Sequence, residues 1–246
     1  MKKLFYRTVS AKTLVFSFFA LMAVCALVFG GKAVSKKASA GVQGNEGPVI
    51  VIDAGHGGED GGASSSSGIL EKDINLSISM KVKSLLDVMG FKTVCVRNDD
   101  RLIYDSSCKT MREKKVSDIH KRLDIMNAHP GCIFLSIHQN HFTQSKYTGA
   151  QVFYSKNIPE SAILAEYIQK SLKKNLQPEN TRKIKPSGTE IYLLYHAKET
   201  AVMVECGFLS NGGEAELLNE NEYQTKTALA IVSGLTEYLS NVRTVA

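Results

Sequence analysis

Four residues spread along the 246-residue chain are of the types that hold a metal ion and move a proton: His56, Glu71, His138 and Glu205. His56 comes straight after the apolar run Val49 to Ile52 and the turn Asp53-Ala54-Gly55, with two glycines behind it. His138 follows Cys132 to Ile137, CIFLSI, and Glu205 follows Thr200 to Val204. Three strand-like runs thus each deliver a polar residue at the carboxyl end, where open α/β sheets build their sites. Glu71 leads a periodic helix after a Gly/Ser loop. Two imidazoles and one carboxylate leave a fourth tetrahedral position on zinc for water, as in a catalytic site. Such a metal lowers the pKa of its water to about 7 and polarises a carbonyl oxygen. A second carboxylate must then take the proton of that water and hand it to a leaving amine. Glu71 and Glu205 supply one carboxylate for each role, and spacing alone does not assign them.

Other polar residues near these positions carry weaker expectations. His141 lies close enough to His138 to compete as a ligand. Gln139 and Asn140 sit where they could bond substrate or orient His138, and Glu190 is a further candidate for substrate contact. Glu59 and Asp60 read as turn residues, and His120, His129 and His196 as ordinary helix or surface residues. The glycines between Gly55 and Gly62 do not form a phosphate cradle, because position 60 is Asp where G-x-G-x-x-G needs Gly.

The elements that must hold these residues follow from periodicity. Ile74, Ile78, Val82, Leu85, Leu86 and Met89 recur at helical spacing from about Glu71 to Met89, and Gly90 ends the helix. Lys92 to Arg97 alternates as a strand, so strand, helix and strand make a β-α-β unit with parallel pairing. Asn98 to Val116 reads as a long loop, Ser117 to Ala128 as a helix, and CIFLSI as the central strand. Gly149 to Tyr154 is a further strand, Glu160 to Leu176 a helix, Gln177 to Gly188 a basic loop, and Ile191 to Tyr195 a short strand. Thr200 to Val204 is the last buried strand, and a helix from about Glu222 to Leu239 closes the chain. The expected fold is α/β: one three-layer domain over residues 48–246, a mixed, mostly parallel sheet of about six strands with helices on both faces.

Before that domain, Met1 to Lys12 holds four basic residues and no acid, and an uncharged, mostly apolar run extends from Thr13 to Gly31. This is the pattern of a secretory signal peptide over residues 1–40, with Ala38-Ser39-Ala40 as cleavage site, or of an N-terminal membrane anchor. Residues 41–47 form a linker. Export across the cytoplasmic membrane follows, and contact with the membrane is expected only through this segment. Residues 1–40 hold seven of the 30 Lys/Arg and no Asp/Glu, leaving 23 basic and 24 acidic residues, net −1. The basic character belongs to the leader, and nucleic acid is excluded as a partner. Cys95, Cys108, Cys132 and Cys206 lack C-x-x-C spacing, so a thiolate metal site is not expected, while one bridge among them would be compatible with export.

AGHGG, the following E-K-D-I-N-L, the strand end S-I-H-x-N and V-E-C-G-F-L-S-N together resemble the zinc-dependent N-acetylmuramoyl-L-alanine amidases of bacterial cell walls, over essentially Pro48 to Leu239. The resemblance implies one zinc per chain bound by His56, Glu71 and His138, with Glu205 as catalytic acid/base. It implies hydrolysis of the amide between N-acetylmuramic acid and L-alanine of the peptidoglycan stem peptide. Arg122 and Asn127 resemble a recurring family pair, expected to be buried and structural. G-A-Q-x-F-Y and Y-L-L point to the germination-specific, spore-cortex members of the family. That implies action in the cell wall or spore intermembrane space, ahead of muramic δ-lactam formation. The partner expected beside the peptidoglycan substrate is an accessory protein or a peptidoglycan deacetylase acting in sequence.

Overall fold

The computed structural model describes residues 47–243. The proposed leader and nearly all of the linker therefore lie outside the described residues. Twelve elements follow in order: β1 (Ile50–Ala54), α1 (Glu71–Val88), β2 (Thr93–Cys95), α2 (Met111–Asn127), β3 (Ile133–Asn140), β4 (Gln151–Tyr154), α3 (Pro159–Asn175), β5 (Lys185–Pro186), α4 (Tyr192–His196), β6 (Thr200–Phe208), α5 (Gly212–Asn219) and α6 (Asn221–Arg243). The six strands form one sheet in the order β2-β1-β3-β6-β4-β5. The β1, β2, β3 and β6 pairings are parallel, β4 runs antiparallel to β6, and β5 is parallel to β4.

Alternation along the strands sorts the core into two halves. Ile50, Ile52, Ile133, Leu135, Val202 and Val204 face one side, where Ile74 and Ile78 of α1, Leu164 and Ile168 of α3, and Ala228 and Ile231 of α6 cover them. Val51, Phe134, Ala201 and Met203 face the other side, under Met126 of α2 and Leu193 and Leu194 of α4. The three-layer α/β arrangement is the expected one. Among the described residues no helix is long and apolar enough to cross a membrane.

Several boundaries differ from expectation. Ile191 to Tyr195 is not a strand: Tyr192–His196 forms α4, turning Leu193 and Leu194 into the core. The sixth strand is instead the two-residue β5, inside what reads as a basic loop. α2 begins at Met111, because Thr110 accepts from Glu113 N while the Glu113 side chain accepts from Thr110 N, a reciprocal cap that fixes the start. The short helix α5, capped by Asn211, had no counterpart in the pattern. All four cysteines in the described region are free.

Candidate metal centre and active site

β1 ends in a backbone that few residues tolerate. His56 has φ 62°, the one positive φ outside glycine among the described residues, and Gly57 and Gly58 follow at φ 138° and 52°. Two buried guanidiniums fix this turn. Arg97 donates to Ala54 O (2.8 Å), Gly55 O (3.0 Å) and Lys72 O (2.8 Å), tying the end of β1 to the first turn of α1. Arg122 donates to Ala54 O (2.9 Å) and His56 O (2.8 Å), and its remaining charge meets Asp118 and Asp53. Burial would push Asp53 upward, but Arg122, His138 and a 2.6 Å bond from Ser136 hold it below the ordinary carboxylate range. Strain at a functional turn persists only where its surroundings over-determine it, and here three successive carbonyls are held.

Glu71, at the first position of α1, lies 3 % exposed between the two histidines. Its Oε1 accepts from Gln139 N (3.1 Å) and lies 2.9 Å from His138 Nδ1; Oε2 accepts from Ala63 N (2.8 Å) and lies 3.2 Å from His56 Nε2. The opposite nitrogen of His56, Nδ1, is 2.8 Å from Asp60 Oδ2, so the ring is fixed from both ends. One donor atom each of His56, Glu71 and His138 lies within 4.8 Å of the others, the group of this kind found among the described residues. The backbone leaves the space they need. A Cβ at Gly55 would sit 2.1 Å from His138 Nε2, and one at Gly62 would sit 2.5 Å from Glu71 Oε2. Burial favours a neutral Glu71, but the two imidazoles hold it well below the usual carboxylate range. Burial opposes charge on His56, yet its bonds to Asp60 and Glu71 outweigh that and raise it to about 9.

Glu205 stands beside His138 in the β3–β6 register, on the same face of the sheet. Its Oε2 is buried with no hydrogen-bond partner. Burial pushes the carboxyl up to about 7; His138 works against that rise and Glu71 adds to it. The residue is half-buried with one sequestered, unpartnered oxygen, and such a carboxyl near neutrality is suited to accept and return a proton. Above His56 and His138 opens a cleft of about 370 Å³, with Ile119, Tyr192 and Leu193 as one wall and Asp60, Lys115 and Glu190 among the lining polar groups; Glu71 and Glu205 lie behind its lining. Two imidazoles and one ionised carboxylate with donor atoms this close together are a donor set that fits a zinc ion.

Residues 50–237 match the family described as N-acetylmuramoyl-L-alanine amidase. The chain belongs to that family. It is 34% identical over 194 residues to the germination-specific N-acetylmuramoyl-L-alanine amidase of Bacillus subtilis, covering 79% of this chain and 81% of that protein. It is 28% identical over 232 residues to the amidase AmiA of Escherichia coli, covering 77% and 75%. Among solved structures, the CwlD amidase of Clostridioides difficile in complex with the GerS lipoprotein superposes with a TM-score of 0.76 at 41% identity, over 79% of this chain and 99% of that one. AmiC2 of Nostoc punctiforme superposes at 0.68 with 27% identity, over 78% and 97%.

In this amidase His56, Glu71 and His138 converge, and Glu205 stands opposite His138 across the β3–β6 pair. Of the weaker candidates, Glu190 lines the cleft, its carboxylate accepting from Gly188 N at 3.0 Å. Gln139 does not reach it: alternation turns the side chain to the opposite face, where its amide donates to Asn75 (3.1 Å). Its backbone N–H is what serves the site, through Glu71. Asn140 lies past a register shift between His138 and Asn140, opposite Phe208, and is not among the residues lining the cleft. His141 is exposed and outside the donor cluster. Of the two residues expected to be buried and structural, Arg122 is buried and pairs with Asp53 and Asp118, while Asn127 is half-buried with its Oδ1 sequestered and without a partner. Asp60, read as a turn residue, holds His56. Arg97 gave no signal at all, because its partners are backbone carbonyls of three segments.

Proposed function

We propose that His56, Glu71 and His138 of this amidase hold one zinc ion and that Glu205 carries the proton of the reaction. The observation that supports this is the three-donor cluster with the half-buried Glu205 beside it on the next strand, one of its carboxyl oxygens sequestered and unpartnered. When bound, zinc supplies Lewis-acid polarisation of the scissile carbonyl and acidifies the attacking water. Asp60 accepts from His56 Nδ1 and so leaves Nε2 free toward the centre, the orienting role that carboxylates play behind ligand histidines. Gln139 N and Ala63 N fix both oxygens of Glu71. Glu205 takes a proton from water as its oxygen bonds to the lactyl carbonyl carbon of N-acetylmuramic acid. The same proton passes to the nitrogen of L-alanine as the C–N bond breaks, and the proton still on the new carboxyl group is lost to solvent, giving a carboxylate on the sugar and a free stem peptide.

The likeness to the germination-specific amidase supports a role in spore cortex, where stem-peptide removal leaves muramic acid ready for deacetylation and δ-lactam closure. The residue pattern of 1–40 supports export, and the complex in which the Clostridioides difficile relative was solved supports an accessory lipoprotein. Mass spectrometry of digested peptidoglycan tests the reaction directly. The expected products are stem peptides with an L-alanine amino terminus and intact glycan strands. New reducing ends, released D-alanine without stem peptide, or loss of acetyl groups alone would overturn the reading.

A further inference from the structure

A second surface, separate from the cleft, lies at the same edge of the sheet. Past Asn140 the chain leaves β3 in an exposed loop that carries Phe142, 46% exposed, and Tyr147, 36% exposed. Phe142 is four residues beyond His138, so the chain allows their Cα atoms no more than about 14 Å of separation. The two rings meet edge-on with centroids 5.3 Å apart, and Tyr147 lies 6.4 Å from Phe208 at the end of β6. Arg182 completes the row, its guanidinium 4.3 Å from the Phe208 ring centre and 5.8 Å from that of Tyr147. It is anchored by donation to Thr148 O (2.8 Å). Topology explains why these segments meet. β4 is antiparallel to β6 and β5 parallel to β4, so β4 and β5 start at the edge where β3 and β6 end.

Arg182 also belongs to a second concavity, of about 810 Å³, between α3 and the segment before β5. Lys170, Lys173, Lys174 and Lys183 line it with Arg182, against the single acid Glu166. Five cations gather here on a domain that, beyond residue 40, carries a net charge of −1. Exposed aromatic rings grouped at one rim mark an interaction surface, and a one-sign concavity concentrates the opposite charge.

We propose that this edge is a second binding track, on which the uncleaved continuation of an anionic sugar polymer lies while one unit occupies the cleft. Pyranose rings rest their C–H faces on Phe142 and Tyr147, and carboxylates of the attached peptides reach the lysines of the α3 groove. The inference rests on peptidoglycan being the substrate. Such a polymer necessarily extends from the reacting unit, it alternates sugar faces with carboxylates, and the first ring of the track, Phe142, follows His138 by only four residues. A bilayer fits less well, since the lysines line a concavity rather than a flat face.

The test uses the full chain carrying Glu205→Gln, so that polymer is bound without being consumed, and measures co-sedimentation with purified sacculi. Phe142→Ala with Tyr147→Ala, and separately Lys173→Glu with Lys174→Glu, should each weaken binding about fivefold or more, as loss of true contact residues does. Amidation of the sacculus carboxylates should abolish the difference made by the lysine changes and leave that made by the aromatic ones. The aromatic positions are exposed and the lysines lie at the surface of α3, so thermal unfolding should stay unchanged; a variant that unfolds leaves the other to decide. Equal binding by all the proteins overturns the proposal. So does adsorption to phosphatidylglycerol vesicles that needs these residues, with none to sacculi. Turnover plays no part in this assay. Residue-dependent binding here, with no stem-peptide release by the unsubstituted protein in a separate digestion, would therefore refute the proposed reaction and support the track, and release by the unsubstituted protein without residue-dependent binding would do the reverse.

Discussion

Replacing Glu205 by Gln should produce a protein that is inactive and, without metal, more stable than the original at alkaline pH. The carboxyl titrates near 7 in the folded chain because it is buried, against the ordinary glutamate value of 4.5. Between those pH values the folded state holds a proton that the unfolded chain has released, so the contribution of Glu205 to stability falls as pH rises through this window. Above pH 7 the burial of its charge costs about 3 kcal/mol. Gln keeps the size and the buried polar oxygen but never ionises. After chelation, Glu205→Gln and the unsubstituted protein should therefore unfold at similar temperatures at pH 5. At pH 8 the variant should unfold on the order of 5–10 °C higher. A cation in the His-Glu-His centre favours ionised Glu205, so zinc loading should shrink that gap. Hydrolysis of peptidoglycan should fall by about 10²–10⁴ with zinc content unchanged, as expected when a general acid–base is removed. Full activity in the variant as purified would mean that Glu205 does not carry the proton. A melting difference that ignores pH would refute the assignment of a proton to Glu205 near neutrality.

Glu71→Gln should fail differently: zinc content drops, and part of the activity returns when zinc is added in excess, because the residue acts as a ligand. Rescue of Glu205→Gln by zinc instead, with Glu71→Gln dead while loaded, would reverse the two roles. Since His56 holds its proton up to about pH 9 in the metal-free protein, zinc must displace it, and apparent affinity should fall about tenfold for each pH unit below 9; a competition titration showing no pH dependence between 6 and 9 would contradict this. Arg122→Met strands the buried carboxylates of Asp53 and Asp118 and frees two carbonyls of the His56 turn, which should cost about 3–5 kcal/mol in a urea titration. Gly62→Ala, whose Cβ would meet Glu71 and His56, should keep the fold and lose most zinc uptake; unchanged uptake would show that the centre has slack.

The parts of this molecule that were legible in its residues are those where one physical signal dominates. VIVID and CIFLSI can only be buried strands, and a histidine directly after such a strand has nowhere to lie but the carboxyl edge. The α1 stripe from Ile74 to Leu86 and the Gly90 stop were equally direct, with Phe91 N returning to Leu86 O, although Met89 falls past the last helical residue and is exposed. Ile191 to Tyr195 was ambiguous for a definite reason: five residues are too few to separate a period of 2 from one of 3.6. The start of α2 was available in Thr110-x-x-Glu113, whereas the two glycines that open α5 hide its helical character.

The support of the site was harder to read than its ligands because it runs through main chain. Asp60 and Asp53 look like turn acids until His56 and Arg122 are seen beside them. Arg97 looks like the end of a strand, and nothing in sequence pairs a cation with carbonyls 42 and 25 residues away. Parity decides the rest. Asp53, Ser136, His138 and Glu205 all occupy the face shared with Val51, Phe134 and Met203, whereas Gln139, one residue on, must point to the α1 side. A one-residue slip of β3 against β6 would therefore take His138 away from Glu205 and bury it under α1. The unbroken pairing of Ile133 to His138 with Thr200 to Glu205 is thus a condition of the chemistry, set by apolar residues that never touch the substrate.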